Sequence, residues 1–469
     1  MATATAPTTP HEASAPPSPA GPVDADQPVR MPPGLRAPRL LQTLKFGAQP
    51  MAFNLGPQRR FGDVWQISIL SRDEPMAVTC HPDHVESLFK AKPGDAPSLA
   101  GESPLRPILG ANSVLCLIGD RHMRERKLLL PPFHGEAVQR YVEKIREIAE
   151  AEIDRWQVGR AFALAPRMQA VTLDVIMGGV FGLDGAPAPG TPEHRMRETF
   201  RKLLRLTTRR AWQLVELQNL GHAEPRGLMR LSLKPVDAQL YAAIRARRAA
   251  GDTAERTDIL SLLLEARDED GQPLPDEHIR DELISLVLAG HETTANSLAW
   301  TFERLLRTPA AYDRLRETVR TGDAGAEDYV EATVYEGMRT RPVVPIVVRV
   351  VRKPWQLGNF VVPAGTPVAV SIVALHHRED VYPEPHTFRP ERFLDSKPGT
   401  YTWIPFGGGI RRCLGATLAM AEQRVVLSAI ARRVDLLAPD GRPEAARQRN
   451  VTMIPSRGGR VMVERSLAA

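Results

Sequence analysis

The chain has 469 residues, with 61 Lys and Arg against 55 Asp and Glu (formal charge +6), 42 prolines and three cysteines. That length allows several domains or one unusually large one, while Cys80, Cys116 and Cys413 are too few and too scattered for a disulfide scaffold or a four-thiolate zinc site, so a reducing, cytoplasmic setting is expected. Charges spread along the whole chain offer no clustered footprint for nucleic acid, and a mean hydropathy of −0.25 without an apolar run of roughly 18 to 20 residues argues against an integral membrane anchor.

Residues 1–38 hold ten of the 42 prolines and show no apolar periodicity. They predict a disordered tail, followed by one domain over 39–469. A basic region followed by an apolar one is missing at the start, so no secretory signal is expected. Alternation around Val64, Trp65, Ile67 and Ile69 predicts a strand that pairs with 76–79, then a short helix over 81–90 and a long loop over 92–112. Helical periodicity dominates the next 220 residues or so, predicting helices over 119–130, 136–156, 163–181, 193–217, 235–250, 258–267, 276–307, 310–320 and 327–340. Beyond Thr340, β-branched runs at 343–351, 355–362 and 368–371 predict short strands. A helix over 414–434 follows, and 451–454 with 460–463 predicts a final hairpin. A β region drawn from both ends of a helical body favours a single large, mainly α (α+β) domain over separable units.

The helix over 276–307 is the most informative. Pro275 and Pro309 bracket it, Asp276 and Glu277 suit its first turn, and about 32 residues give a rod of about 48 Å. Its middle is apolar over much of its circumference, yet contains Gly290-His291-Glu292-Thr293-Thr294. A glycine, a carboxylate and two hydroxyls at the centre of a buried helix cost propensity and desolvation, so structure alone does not favour them. A zinc-protease reading of His291-Glu292 fails, because position 295 is Ala rather than His.

The second signal is Trp403-Ile404-Pro405-Phe406-Gly407-Gly408-Gly409-Ile410-Arg411-Arg412-Cys413-Leu414-Gly415. Three successive glycines allow a sharp turn and close approach to a flat ligand. A cysteine beside arginines at the start of a helix is poised to be a thiolate, since both the helix end and the cations favour the anion. The Gly-Lys-Ser/Thr ending of a phosphate-binding loop is absent.

Phe406-x-x-Gly409-x-Arg411-x-Cys413-x-Gly415 resembles the haem-ligand loop of the cytochrome P450 superfamily at every defining position. Ala289-Gly290-His291-Glu292-Thr293-Thr294 is similar to that family's oxygen-activating segment, Glu336-x-x-Arg339 to its Glu-x-x-Arg motif, and Phe388-Arg389-Pro390-Glu391-Arg392-Phe393 to its downstream Pro-Glu-Arg-Phe motif. The four occur in the family order, and the resemblance spans roughly residues 32–465.

The resemblance implies haem b (iron protoporphyrin IX) with O2 as co-substrate, Cys413 as the iron ligand, and Cys80 and Cys116 as core bystanders. Glu292 and Thr293 are then expected to relay protons, Gly290 to leave room for oxygen, and the Thr293 hydroxyl to loosen the helix ladder locally. Glu336, Arg339 and Arg392 are implied as a clamp for the cysteine loop. His122 and Arg126, at i, i+4 on one helix face, match a propionate-binding helix; Arg411 and Arg349 are further candidates, with Arg352 competing for the place of Arg349. The implied activity is a monooxygenase acting on an apolar fatty acid, terpenoid, steroid or polyketide. Electrons would come from ferredoxin and its reductase or a flavodoxin-type donor, docking on Arg121, Arg124, Lys127 and Arg412 of a monomer. Residues in 92–118, 200–235, 343–346 and 453–454 are expected to frame the pocket. A peroxide-driven haem-thiolate enzyme and a non-catalytic haem-binding sensor remain the alternatives.

Overall fold

The computed structural model describes residues 16–467 apart from 71, 104, 184–186, 208–211, 220 and 395. The long helix runs unbroken from Asp276 to Leu305 through the interior, and 21 of its 30 residues are buried, which accounts for its apolar circumference. It packs most extensively on helix Leu164–Phe181, whose side chains are buried on nearly every face. Helices Glu136–Ile153, Ala326–Thr340 and Ala416–Arg433 complete the body around it.

A four-stranded sheet joins the two ends of the chain. Val64–Ile67 pairs antiparallel with Met76–Thr79 (Val64 opposite Thr79), as the alternation predicts. Met76–Thr79 lies parallel to Pro367–Ser371, which in turn pairs antiparallel with Ile346–Val350. The sheet closes its own apolar cluster around Trp65, Val78, Leu88, Trp355 and Val370, so the β region packs as a second core beside the helical one.

Several expectations need correction. The predicted disordered tail is ordered from Pro16 onward: Ala20–Pro22 pairs with Trp355–Leu357, Ser18 Oγ hydrogen-bonds His84 Nε2 at 2.9 Å, and Arg30 bridges Val361. These contacts are largely backbone pairing and polar anchoring, which need no apolar periodicity; residues 1–15 lie outside the described region. Of the helix expected over 193–217, the stretches Pro192–Thr207 and Trp212–Asn219 are helical, and 208–211 lie outside the described residues. The helix expected from 235 begins at Gly227 and carries Pro235 inside. Helices Arg39–Ala48 and Pro50–Phe61 were not foreseen, and the 92–112 loop holds two short turns, Leu99–Glu102 and Arg106–Leu109.

The predicted final hairpin does not form. Thr452–Pro455 pairs with Ala446–Arg449, whereas Arg460–Ser466 lies between Ala161–Ala163 and Val434–Leu437. Period-two alternation identifies a strand without identifying its partner. Among the described residues no helix is long and apolar enough to cross a membrane.

Candidate active site

A cavity of about 420 Å³ opens between the long helix and the cysteine loop. Val114 and Leu115, His122 and Arg126 of helix Gly119–Leu129, Ala289, Gly290, Thr293 and Thr294 of the long helix, and Phe406, Arg411, Cys413 and Gly415 of the loop all line it. Val343, Val344 and Val347 add further apolar wall. No described residue of 200–235, nor Met453 or Ile454, lines this cavity, so the pocket frame expected there is not seen.

The loop geometry explains its glycines. Gly409 has φ +62°, and a Cβ there would sit 2.3 Å from the Phe89 carbonyl oxygen, so only glycine fits. The chain turns back so that the Cys413 N–H donates to the Phe406 carbonyl at 3.0 Å. Cys413 Sγ is open to the cavity yet enclosed by protein. Burial therefore pushes its thiol up, opposed by the Gly415 backbone and by Arg126 and Arg412. The sequence-based expectation of a poised thiolate weighed only the opposing cations and the helix end. Cys80 and Cys116 are buried thiols pushed up to about 12 and about 11 by desolvation, consistent with inert core residues.

A dense clamp fixes this loop. Arg339 donates two hydrogen bonds of 2.7 Å to the Glu336 carboxylate, and both side chains are fully buried. Its Nη1 also donates to the carbonyls of His376 (2.8 Å) and Pro385 (2.9 Å), and its Nη2 to that of Thr387 (3.2 Å). Arg392 Nε lies 3.2 Å from Glu336, which also accepts from the Arg389 N–H at 2.8 Å. The connection to the loop passes through His376, whose Nε2 accepts the Ile404 N–H at 2.9 Å. Tyr382 and Trp403 add bonds to the Thr402 and Tyr335 carbonyls.

A second cationic cluster has the opposite character. His122, Arg126, Arg349 and Arg411 gather along one side of the site, and among the described residues no carboxylate is ion-paired to any of them. Burial and the three guanidinium groups push His122 down to about 4, and its Nδ1 has no partner. Burial pushes Arg349 and Arg411 down to about 10. Among the described residues Arg411 donates to the backbone carbonyls of Val114 and Leu117 and to no carboxylate. Arg352 stands exposed at a turn. Three enclosed or half-enclosed arginines and a neutral imidazole without acids fit a ligand that brings its own carboxylates, and an adjacent cysteine facing a cavity with a glycine-shaped floor fits the iron porphyrin that bears them.

On the opposite wall, Thr293 Oγ1 donates to the Ala289 carbonyl at 2.7 Å, and the helix continues without the expected loosening. Gly290 lines the cavity, but its absent Cβ faces Ile176, 2.9 Å from that side chain's end; its smallness thus serves helix packing as well as open space. Glu292 does not reach the cavity wall. Its Oε1 accepts from Arg449 at 2.7 and 3.0 Å and from the Thr452 hydroxyl at 2.9 Å. His291 is buried neutral, pushed down to about 3. Arg124 is engaged with Glu269, leaving Arg121, Lys127 and Arg412 exposed.

Sequence reasoning missed Arg449 and Thr452, 157 and 160 residues from Glu292, for which no local pattern exists. It also missed Glu422, fully enclosed at the cavity floor with its Oε1 unpartnered and pushed up to about 8 by burial. A carboxylate on the buried face of helix Ala416–Arg433 was the available signal.

The family model described as Cytochrome P450 matches residues 31–463. Two mycobacterial relatives carry provisional names in that family: cytochrome P450 137 of Mycobacterium tuberculosis, 38% identical over 92% of this chain and 90% of its own, and cytochrome P450 135B1 of Mycobacterium bovis, 36% identical over 92% and 91%. Two solved structures share the fold: a retinoic acid-bound cyanobacterial CYP120A1 (TM-score 0.77, 23% identity, 94% of this chain and 100% of that one) and the cytochrome P450DA heme domain (TM-score 0.77, 21% identity, 93% and 98%).

Proposed function

The chain belongs to the cytochrome P450 family, with haem as cofactor and O2 as co-substrate, and from that premise we propose that it hydroxylates or epoxidises an apolar small molecule using electrons delivered by a separate protein. When bound, the haem supplies the oxygen chemistry, one atom entering the substrate and the other leaving as water with two electrons and two protons. The observation that carries the reading is Cys413 facing an apolar-walled cavity beside Arg126, Arg349 and Arg411, which have no acid ion-paired to them among the described residues.

In this reading Cys413 is the iron ligand, and His122, Arg126, Arg349 and Arg411 hold the two carboxylates. Phe406, Gly409 and Gly415 shape the loop against the ring. Valines 343, 344 and 347 and Leu286 exclude water and orient the substrate. Thr293 presents its hydroxyl to the cavity and would pass protons inward, while the preceding residue, Glu292, held behind the wall by Arg449 and Thr452, would supply them only through intervening water. Glu336, Arg339 and Arg392 keep the loop in place and take no part in proton transfer. Arg121, Lys127 and Arg412 favour an acidic donor such as a ferredoxin or flavodoxin. Fatty acids, terpenoids, steroids and polyketides are the substrate classes that suit the walls.

The test is a turnover assay with purified ferredoxin, its reductase, NAD(P)H and 18O2 over a panel of those four classes. One 18O per product is expected, with hydrogen peroxide alone slower. Peroxide turnover as fast as reductant-driven turnover would replace the reading with a peroxygenase, and no oxidation of any panel member with active donors would replace it with a haem-binding sensor.

A further inference from the structure

Away from the cavity, three ionisable side chains converge between helix Gly119–Leu129 and the first turns of the long helix. Glu125 comes from the former; His278 and Glu282, four residues apart on one face, come from the latter. One donor atom from each lies within 4.8 Å of the other two. Glu282 is completely buried: its Oε1 accepts the Val114 N–H at 2.7 Å, but its Oε2 has no partner. His278 Nε2 lies 3.1 Å from Glu125 Oε1 yet is out of line for a hydrogen bond, and Glu125 Oε2 is likewise buried without a partner. Among the described residues no lysine or arginine is ion-paired to either glutamate.

A buried carboxylate beside a half-buried one is repelled when both are ionised, and an orphaned carboxylate oxygen in the interior is costly unless something positive satisfies it. The orphaned oxygens of Glu125 and Glu282 leave the cluster without a positive partner among the described residues. A cation balances it. Donors each about 2.0 to 2.2 Å from a common centre are at most about 4.4 Å apart, so closing the observed spacing needs only small side-chain shifts. The two outer residues are each 13% exposed, which leaves a route in from solvent.

We propose that Glu125, His278 and Glu282 form a binding site for a divalent cation of the Zn2+ class, with water completing its coordination. An imidazole among the donors selects Zn2+ over Mg2+ or Ca2+, which prefer all-oxygen shells. The site ties helix Gly119–Leu129 to the long helix. Because His122 and Arg126 lie on that same helix and line the cavity, the cation also steadies one side of the cofactor cradle.

The experiment uses haem-loaded full-length protein stripped with EDTA and titrated with ZnCl2, with MgCl2 and CaCl2 as parallel arms. The expected result is one retained Zn2+ per chain by metal analysis, no comparable retention of Mg2+ or Ca2+, and haem transfer to apomyoglobin slowed by Zn2+. Glu282→Gln, close in shape to the native side chain, and His278→Ala should each weaken Zn2+ binding by more than about tenfold while retaining their haem spectrum. Substoichiometric Zn2+, or equal binding by wild type and both variants, overturns the site. Zn2+ binding without any change in haem transfer overturns the link to the cradle. If a variant loses haem, anomalous diffraction from Zn2+-soaked wild-type crystals decides: a peak among these three side chains supports the site, and a peak elsewhere defeats it.

Discussion

The two arginine clusters around the cysteine loop look alike in composition and differ in how they are balanced. Arg339 and Arg392 surround the chain's own Glu336, and backbone carbonyls take three further bonds from Arg339. His122, Arg126, Arg349 and Arg411 have no such acid. In the proposed reading, the cluster that carries its own acid completes the fold, and the one without an acid receives it from outside. The distinction assigns one cluster to stability and the other to cofactor affinity, and variants should separate the two.

The largest effect is expected at the clamp. Glu336→Ala leaves two guanidinium groups buried without their anion and should cost about 3 to 5 kcal/mol, enough to remove most haem-bearing protein. Normal haem content and an unshifted denaturant midpoint would break the comparison.

Acid should loosen the clamp next. His376 accepts the Ile404 N–H, and burial with Arg339 pushes it down to about 3. The unfolded chain binds this proton near pH 6.5 and the folded chain does not, so the stabilisation is complete above pH 6.5 and falls as pH drops towards 3. Its contribution to the slope approaches about 1.4 kcal/mol per pH unit. Denaturant midpoints that stay flat between pH 6.5 and 4.5 would contradict this.

Arg349→Ala should show the inverse pattern. The cofactor-free protein loses an unpaired buried charge and keeps or gains stability, while haem affinity drops by about 1.5 to 3 kcal/mol. Paired apo and holo unfolding curves check this, and equal destabilisation of both forms would place Arg349 with the clamp. The smallest effect is expected at Gly290→Ala, where the new methyl displaces the flexible end of Ile176 at a cost of about 1 kcal/mol. A thermal scan would register it, and substrate-induced spectral shifts would report any narrowing of the cavity.

What the sequence made legible follows physical range. The cysteine loop and the Glu336–Arg339 pair are local: turn glycines, one cysteine and an i, i+3 spacing. The long helix was legible because an apolar middle, an acidic first turn and prolines outside both ends leave little choice. Long-range pairing was not. Ala20–Pro22 finds Trp355–Leu357 through backbone bonds, Arg460–Ser466 chooses two partners other than its neighbour, and Arg449 meets Glu292 across 157 residues. Helix Pro50–Phe61, with Gly56 and Pro57 inside it, also escaped because propensity argues against it and tertiary packing prevails.

The central claim is that Cys413 is the ligand of a haem iron. The most direct measurement is the carbon monoxide difference spectrum of the reduced, folded protein, alone and as Cys413→Ala. A Soret band at about 450 nm that the substitution abolishes is predicted. A band at about 420 nm in the intact protein, or a spectrum that Cys413→Ala leaves unchanged, would contradict the account.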